Sequence, residues 1–220
     1  MDILFPPKCV GCSKEGDFLC SVCERSLARL EDPYCPTCAQ PMRSEATCQR
    51  CQESPLDIDG IRSPFLMEGV IRIMIHRMKY NDFRALATVL GRLLSSSMDA
   101  YLIPADFLMA VPLHPRRERR RGYNQSLLLA REVSMSKGIP LAKGLVRVKD
   151  APPQARAADA ESRRANVKDA FAFRGTGLDG RRVLLIDDVC TTGATLGACA
   201  LALKNSGAAA VWGLTLAREA

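Results

Sequence analysis

Eight of the ten cysteines lie in the first 51 residues, as four successive C-x-x-C pairs. Two thiolates on such a tight turn supply half of a tetrahedral zinc site, and a set of four leaves no open position for chemistry. The pattern predicts two structural zinc ions, with an iron–sulfur cluster or a redox pair as the alternative. The predicted ligands are Cys9, Cys12, Cys20, Cys23, Cys35, Cys38, Cys48 and Cys51.

The spacing of the pairs indicates how they group. Seven residues separate the first pair from the second, and nine separate the third from the fourth. The first two pairs can therefore form one metal site and the last two pairs another, although an interleaved grouping stays open at this point. A module of about 50 residues with so little core needs such metal staples to fold. We expect residues 1–55 to form a double zinc ribbon.

The chain as a whole has the composition of an ordinary globular protein, with 47% hydrophobic and 25% charged residues over its 220 positions. This composition excludes a disordered chain. No apolar run reaches the roughly 20 residues of a transmembrane helix. The N-terminus lacks the basic and apolar regions of a secretory signal, so we expect a cytoplasmic location. Residues 56–64 are predicted to be a linker, and residues 65–220 a second domain.

Charge is divided unevenly between the two parts of the chain. Residues 1–55 carry a formal balance of −2, whereas residues 56–220 carry +9. The larger part therefore favours anionic partners, whether phosphate, pyrophosphate or nucleic acid.

Hydrophobic periodicity in the second part predicts strands that alternate with helices. Apolar residues at three- and four-residue spacing indicate helices at 67–80, 82–98, 124–138 and 195–207. Short apolar runs indicate strands at 106–113, 170–173, 181–189 and 210–217. Such alternation is typical of an α/β fold with a doubly wound parallel sheet.

The segment VLLIDDVCTTGATL (183–196) contains the most informative motif. An apolar strand leads to two adjacent acids, Asp187 and Asp188, which are costly together unless they bind a cation or hydroxyl groups. Small and hydroxyl residues follow, and then a helix begins. Gly193 permits close backbone approach, and a helix N-terminus directs N–H groups at an anion. The segment thus combines a site that can bind a diol or a metal ion with a loop that can bind phosphate.

This motif resembles the phosphoribosyl-pyrophosphate motif of type I phosphoribosyltransferases. The resemblance implies that Asp187 and Asp188 bind the ribose 2- and 3-hydroxyls and that magnesium bridges those hydroxyls and the pyrophosphate. Purine-salvage members carry a further Asp where this chain has Thr191, which argues against purine salvage. The residues implied to hold the 5-phosphate are Thr191, Thr192, Gly193, Ala194 and Thr195.

A wider set of motifs resembles the ComF/GntX family of competence-associated phosphoribosyltransferase-like proteins. The matching segments are AVPLHPRRERRRGYNQSLLLA (110–130), RMKY (77–80), PPQARAADAESRRANVKDAF (152–171) and the double zinc ribbon. The resemblance implies phosphoribosyl pyrophosphate as ligand and a role in DNA uptake. Its candidate partners are single-stranded DNA, an uptake helicase or channel protein, and a second copy of the chain.

An arginine-rich segment follows strand 106–113, which should end beside strand 183–189. Guanidinium groups bind pyrophosphate oxygens in pairs, and a solvated basic surface is the alternative. Tyr123 is a weak candidate for stacking on a base. The anion-binding candidates are His114, Arg116, Arg117 and Arg121. The polar segment 149–166 resembles the family's lid, with Arg163 and Asn166 as its candidate residues, and Lys79 either joins the site or merely extends to solvent.

Two functions fit these observations. The first is a magnesium-dependent phosphoribosyltransferase whose acceptor the sequence does not specify. The second is a non-catalytic accessory protein that senses the donor and binds single-stranded DNA. Pyrophosphate release with and without candidate acceptors distinguishes them.

Overall fold

The computed structural model describes residues 6–149 and 169–219. Helices in these ranges are α1 (Ser21–Arg25), α2 (Gln49–Glu53), α3 (Gly69–Tyr80), α4 (Leu86–Tyr101), α5 (Pro115–Arg121), α6 (Gln125–Lys137) and α7 (Ala194–Lys204). Strands are β1 (Gly60–Arg62), β2 (Phe65–Leu66), β3 (Phe107–Ala110), β4 (Leu145–Arg147), β5 (Phe171–Phe173), β6 (Arg182–Cys190) and β7 (Ala210–Arg218). No helix of the described residues is both long and apolar enough to cross a membrane.

The main sheet is parallel and has the order β1-β7-β6-β3, with β2 pairing β7 farther along the same strand. Its strand β6 is central because residues 183–186 form an apolar run that is buried throughout. Ala110 of β3 lies opposite Ile186, and Thr215 of β7 lies opposite Asp187. The carboxyl ends of these strands therefore meet at one edge of the sheet.

Helices cover both faces of this sheet. Leu184 and Ile186 point into a core formed with α3, α4 and α6. Val183 and Leu185 point the other way, into a core shared with α7 and with the small antiparallel pair β4-β5. Successive side chains of β6 point to opposite faces of the sheet, so the strand contributes to both cores. The predicted doubly wound α/β architecture is confirmed.

The segment 56–64, predicted as a linker, contributes an edge strand of the sheet instead. Ile58 and Ile61 are buried, and β1 pairs with β7. Asp59 accepts hydrogen bonds from the Val211 N–H at 2.6 Å and from Lys204 Nζ at 2.9 Å. The segment is therefore fixed on the sheet, and the division of the chain into domains stays a prediction.

Two further elements differ from the prediction. The arginine-rich segment after β3 folds into helix α5, with Pro115 at its first turn, where the missing proline N–H is harmless. The predicted strand 170–173 exists as β5, but it pairs antiparallel with β4 and lies outside the main sheet.

The double zinc ribbon packs directly on the sheet domain. The Leu30 N–H donates to the Pro64 carbonyl at 2.9 Å, and the Leu66 N–H donates to the Ala28 carbonyl at 2.9 Å. The Phe18 ring meets the Phe83 ring edge-on, with centroids 5.0 Å apart. The double zinc ribbon and the sheet therefore form one packed structure.

Candidate functional site

Asp187 lies near the carboxyl end of β6, and two groups donate hydrogen bonds to its side chain. Its Oδ1 accepts from Ser126 Oγ at 2.6 Å and from the Asp188 N–H at 2.9 Å. Burial and the neighbouring Asp188 charge raise the pKa of Asp187 to about 7, against an ordinary value of 3.8. Ionising this carboxyl near neutral pH is therefore unfavourable until a ligand compensates the charge.

Asp188 is only 3% exposed and pairs with a lysine from another element. Its Oδ1 lies 2.7 Å from Lys79 Nζ, at the end of α3. Burial alone would lower the pKa of Lys79, but the Asp188 carboxylate outweighs this effect and raises it. Oδ2 of Asp188 has no hydrogen-bond partner among the described residues. A buried carboxylate oxygen without a partner is rare, and it gives this edge an unused acceptor.

The threonine loop (residues 191–195) connects β6 to α7. Gly193 has φ +81°, a left-handed conformation that side-chain-bearing residues rarely adopt. A Cβ at this position would lie 2.7 Å from Leu56 Cδ1 and 3.0 Å from Ile61 Cδ1. Thr192 Oγ1 accepts from the Ala194 N–H at 3.3 Å. The centre of the loop is thus packed tightly, whereas Thr191 and Thr195 stay partly exposed.

Helix α5 places some of its arginines on a cavity beside the acidic pair. The cavity has a volume of about 600 Å³ and is lined by Lys79, Tyr80, Asp82, Arg117, Arg120 and Arg121. Arg121 donates to Gln125 Oε1, and its guanidinium lies 5.6 Å from the Tyr80 ring centroid. This arrangement gives the cavity an excess of positive charge.

The remaining predicted site residues occupy different places. Arg116 and His114 do not line the cavity: His114 is the N-cap of α5, where its Nδ1 accepts from the Arg116 N–H at 3.3 Å. Arg163 and Asn166 lie outside the described residues. Sequence reasoning left the role of Lys79 open and missed Ser126 as a neighbour of the site. The RMKY motif was the available signal for Lys79.

Two further side chains close to the site, Tyr123 and Cys190, are buried. Tyr123 is buried, its hydroxyl donates to the Met78 carbonyl, and the Arg84 guanidinium stacks 4.6 Å from its ring centroid. Stacking of Tyr123 on a base, considered from the sequence, is therefore wrong. Burial raises the pKa of the Cys190 thiol to about 12, which is opposite to what a nucleophile needs.

The eight N-terminal cysteines form two groups of four, with the Sγ atoms of each group within 4.8 Å of one another. Sγ atoms of Cys12 and Cys20 are 3.7 Å apart, and those of Cys38 and Cys48 are 3.6 Å apart. A tetrahedral zinc with bonds of about 2.3 Å separates its sulfurs by about 3.8 Å. The donor sets fit zinc. The sequential grouping, Cys9 to Cys23 and Cys35 to Cys51, is confirmed.

The two zinc-ribbon sites differ in exposure, which predicts a difference in metal release. Cys12 is exposed and Cys20 is partly exposed, whereas all four cysteines of the second ribbon are buried. A chelator should therefore remove about two zinc ions per chain in two phases, a fast one from the first ribbon and a slow one from the second. A colorimetric zinc indicator measures both phases. A Cys12→Ser variant should lose only the fast phase; a single phase, or an iron chromophore, would contradict the assignment.

Comparison with known proteins supports the sequence motifs. A family model described as a double zinc ribbon domain matches residues 1–52. Competence protein F of Haemophilus influenzae is 34% identical over 229 residues, covering 96% of this chain and 97% of that protein. DNA utilization protein YhgH of Escherichia coli K12 is 32% identical over 199 residues, covering 88% and 87%. The chain therefore belongs to the ComF/GntX family, as its motifs predicted.

Solved structures of lower similarity were also found. Glutamine phosphoribosylpyrophosphate amidotransferase from B. subtilis has 20% identity and a TM-score of 0.39, covering 58% of this chain and 25% of its own. A purine phosphoribosyltransferase from Pyrococcus horikoshii has 20% identity and a TM-score of 0.39, covering 59% and 70%. Family membership and the parallel sheet assign the chain a type I phosphoribosyltransferase fold that follows a double zinc ribbon.

Proposed function

We propose that this protein binds phosphoribosyl pyrophosphate together with magnesium and acts in DNA uptake. The observation that carries the ligand assignment is the buried Oδ2 of Asp188, which has no partner within residues 6–149 and 169–219 and lies beside a carboxyl whose pKa is raised to about 7. Such a pair favours a ligand that donates hydrogen bonds or carries positive charge. A sugar diol donates two hydroxyl hydrogens, which matches two adjacent carboxylates. The names of the relatives, competence protein and DNA utilization protein, support the cellular role.

The three parts of the donor have matching chemistry along this edge of the sheet. The threonine loop begins three residues after Asp188, and its partly exposed Thr191 and Thr195 and the N-terminus of α7 suit the 5-phosphate. The cavity lined by Lys79, Arg117 and Arg121 suits the pyrophosphate, because ammonium and guanidinium groups bind phosphate oxygens through charge-assisted hydrogen bonds. The acidic pair, between them along the edge, suits the ribose.

Magnesium fits the same residues because it prefers oxygen ligands and keeps several waters. Asp187 and Asp188 would hold it through their carboxylates and through the hydroxyls of the ribose. When bound, the ion would neutralise the charge of the pyrophosphate leaving group. Lys79 would fix the orientation of the Asp188 carboxylate through the ion pair at 2.7 Å.

Direct contact with single-stranded DNA, an uptake helicase or a channel protein stays a prediction from the family resemblance. Transfer of the ribose and non-catalytic sensing of the donor share the binding step proposed above. They differ in turnover, so pyrophosphate release in the presence of candidate acceptors separates them.

Calorimetric titration of the full chain tests the proposal. Phosphoribosyl pyrophosphate with magnesium should bind at micromolar concentration, and chelating the magnesium should weaken this binding at least tenfold. Ribose 5-phosphate should bind more weakly than the donor, and its affinity should depend less on magnesium, because it lacks the pyrophosphate. Absence of donor binding at millimolar concentration, with two zinc ions still present, would overturn the proposal.

A further inference from the structure

Arg218, the last residue of β7, is a fully buried arginine, with 0% of its surface exposed. Burying a guanidinium removes its hydration, and this is tolerated only where other groups replace the lost hydrogen bonds and charge. The position of Arg218 is therefore defined by its partners, and those partners come from two different parts of the chain.

The guanidinium connects the second zinc ribbon to the start of the threonine loop. Nε donates to the Cys38 carbonyl at 2.9 Å, and Nη2 donates to Gln40 Oε1, both in the second ribbon. Nη1 donates to the Cys190 carbonyl at 3.2 Å and to the Glu219 carbonyl. Cys190 immediately precedes Thr191, so one planar group ties a metal-binding turn to the first residue of the loop.

Two other contacts join the same partners. Cys190 Sγ donates to the Cys38 carbonyl at 3.8 Å, so that carbonyl accepts from both sides of the junction. A Cβ on Gly193 would lie 3.7 Å from Cys38 Cβ and 2.7 Å from Leu56 Cδ1, which shows how closely this segment covers the loop. The second ribbon and the residues after it therefore contact the loop at both its start and its centre.

The first ribbon makes its contacts elsewhere. Its Glu24 forms a bidentate ion pair with Arg92 of α4, at 3.2 and 2.7 Å. Phe18 packs on Phe83, just before α4. These contacts involve α4 and the residues just before it and not the threonine loop, so the two ribbons have different neighbours.

The dependence on metal follows from the ribbon turn that carries two of these acceptors. Cys38, whose carbonyl accepts from Nε, belongs to the second group of four cysteines, and Gln40 follows it by two residues. A small zinc ribbon keeps its fold only while its metal is bound. Without the zinc, the turn would no longer hold the Cys38 carbonyl and Gln40 Oε1 in place, and the buried guanidinium would lose two of its acceptors.

We propose that Arg218 is a positioning residue through which the zinc-loaded second ribbon holds the threonine loop in its phosphate-binding conformation. The inference rests on the proposed donor site and adds a regulation of it: donor affinity depends on the second zinc and not on the first. Zinc loss or thiol oxidation at the second ribbon would therefore lower donor affinity.

Variants of two ribbon contacts test the inference. Arg218→Met should weaken binding of ribose 5-phosphate and of magnesium phosphoribosyl pyrophosphate by similar factors of ten or more, because both ligands carry the 5-phosphate. Arg218→Lys, which keeps the charge with fewer donors, should recover part of the affinity. Arg92→Met, the matched control at the first ribbon, should change both affinities less than twofold. Titrations are made well below each melting temperature, with zinc content measured in parallel.

Chelation of the wild-type chain provides a test without mutation. Donor affinity should persist through the fast zinc-release phase and fall with the slow phase. Loss of affinity in the fast phase, affinity retained after both phases, or wild-type affinity in Arg218→Met would overturn the inference. Failure of the wild-type, two-zinc protein to bind the donor is a different result, since it rejects the proposed function itself.

Discussion

Replacing Asp187 and Asp188 together by Asn should abolish detectable binding of phosphoribosyl pyrophosphate in magnesium. Neutral amides do not attract the cation, and they accept the hydroxyl hydrogens of the ribose more weakly than carboxylates do. Calorimetric titration measures the loss. Asp106→Asn is a suitable control because Asp106 pairs with Arg182 at the opposite edge of the same sheet. Near wild-type affinity in the double variant would reject the ribose assignment of this motif.

The two carboxylates should differ in their effect on stability. Asn at 187 can still accept from Ser126 Oγ and the Asp188 N–H through its Oδ1, so Asp187→Asn removes a charge and little else. Asp188→Asn instead leaves the Lys79 ammonium without its carboxylate at 2.7 Å. We expect a higher melting temperature for Asp187→Asn and a lower one for Asp188→Asn, because an unpaired buried charge is destabilising.

The stabilisation by Asp187→Asn should depend on pH. The pKa of Asp187 is raised from 3.8 to about 7, so the folded protein keeps a proton that the unfolded chain has already released. The stabilisation of the fold that comes from the protonated Asp187 carboxyl is therefore lost as pH rises from about 4 to about 7, and the loss is complete above that range. The variant should gain melting temperature at pH 8 and gain none at pH 4. An equal gain at both pH values would contradict the raised pKa.

Much of the fold could be predicted because its signals are local. The run preceding Asp187 is apolar for four residues, and so short a run favours a buried strand over a helix. The C-x-x-C turns can likewise be recognised from neighbouring residues alone. The helices α3, α4, α6 and α7 and the strands β3, β6 and β7 followed from such short-range patterns, whereas the spacing of the cysteines only favoured the sequential grouping of the metal ligands.

The features that the sequence did not reveal depend on contacts between distant residues. Strand β1 has three residues, and its partner Trp212 lies about 150 positions away, so segment 56–64 resembled a linker. An arginine near the end of a chain is ordinarily exposed, and the burial of Arg218 becomes evident only when the second ribbon covers it. Lys79 had two equal interpretations until the ion pair with Asp188 was found.

Replacing Arg117 and Arg120 by Ala should weaken binding of pyrophosphate and of the donor at least tenfold. The two residues line the cavity and stand three positions apart on α5, so they occupy the same side of the helix. Losing one charge-assisted hydrogen bond costs roughly 1.5–3 kcal/mol, which corresponds to a factor of ten or more. Ribose 5-phosphate should bind almost unchanged, because it lacks the pyrophosphate. Competition titration with each ligand measures the difference.

The matched control is Arg116→Ala with Arg119→Ala. Neither residue lines the cavity, both are exposed, and the change in net charge equals that of the first pair. If the helix binds pyrophosphate by direct contact, the control pair should lose less than threefold affinity in 0.15 M salt, where charges beyond about 8 Å are largely screened. Equal losses in both pairs would mean that α5 supplies only a general positive field. Equal losses for pyrophosphate and ribose 5-phosphate in the first pair would place the 5-phosphate, and not the pyrophosphate, beside α5.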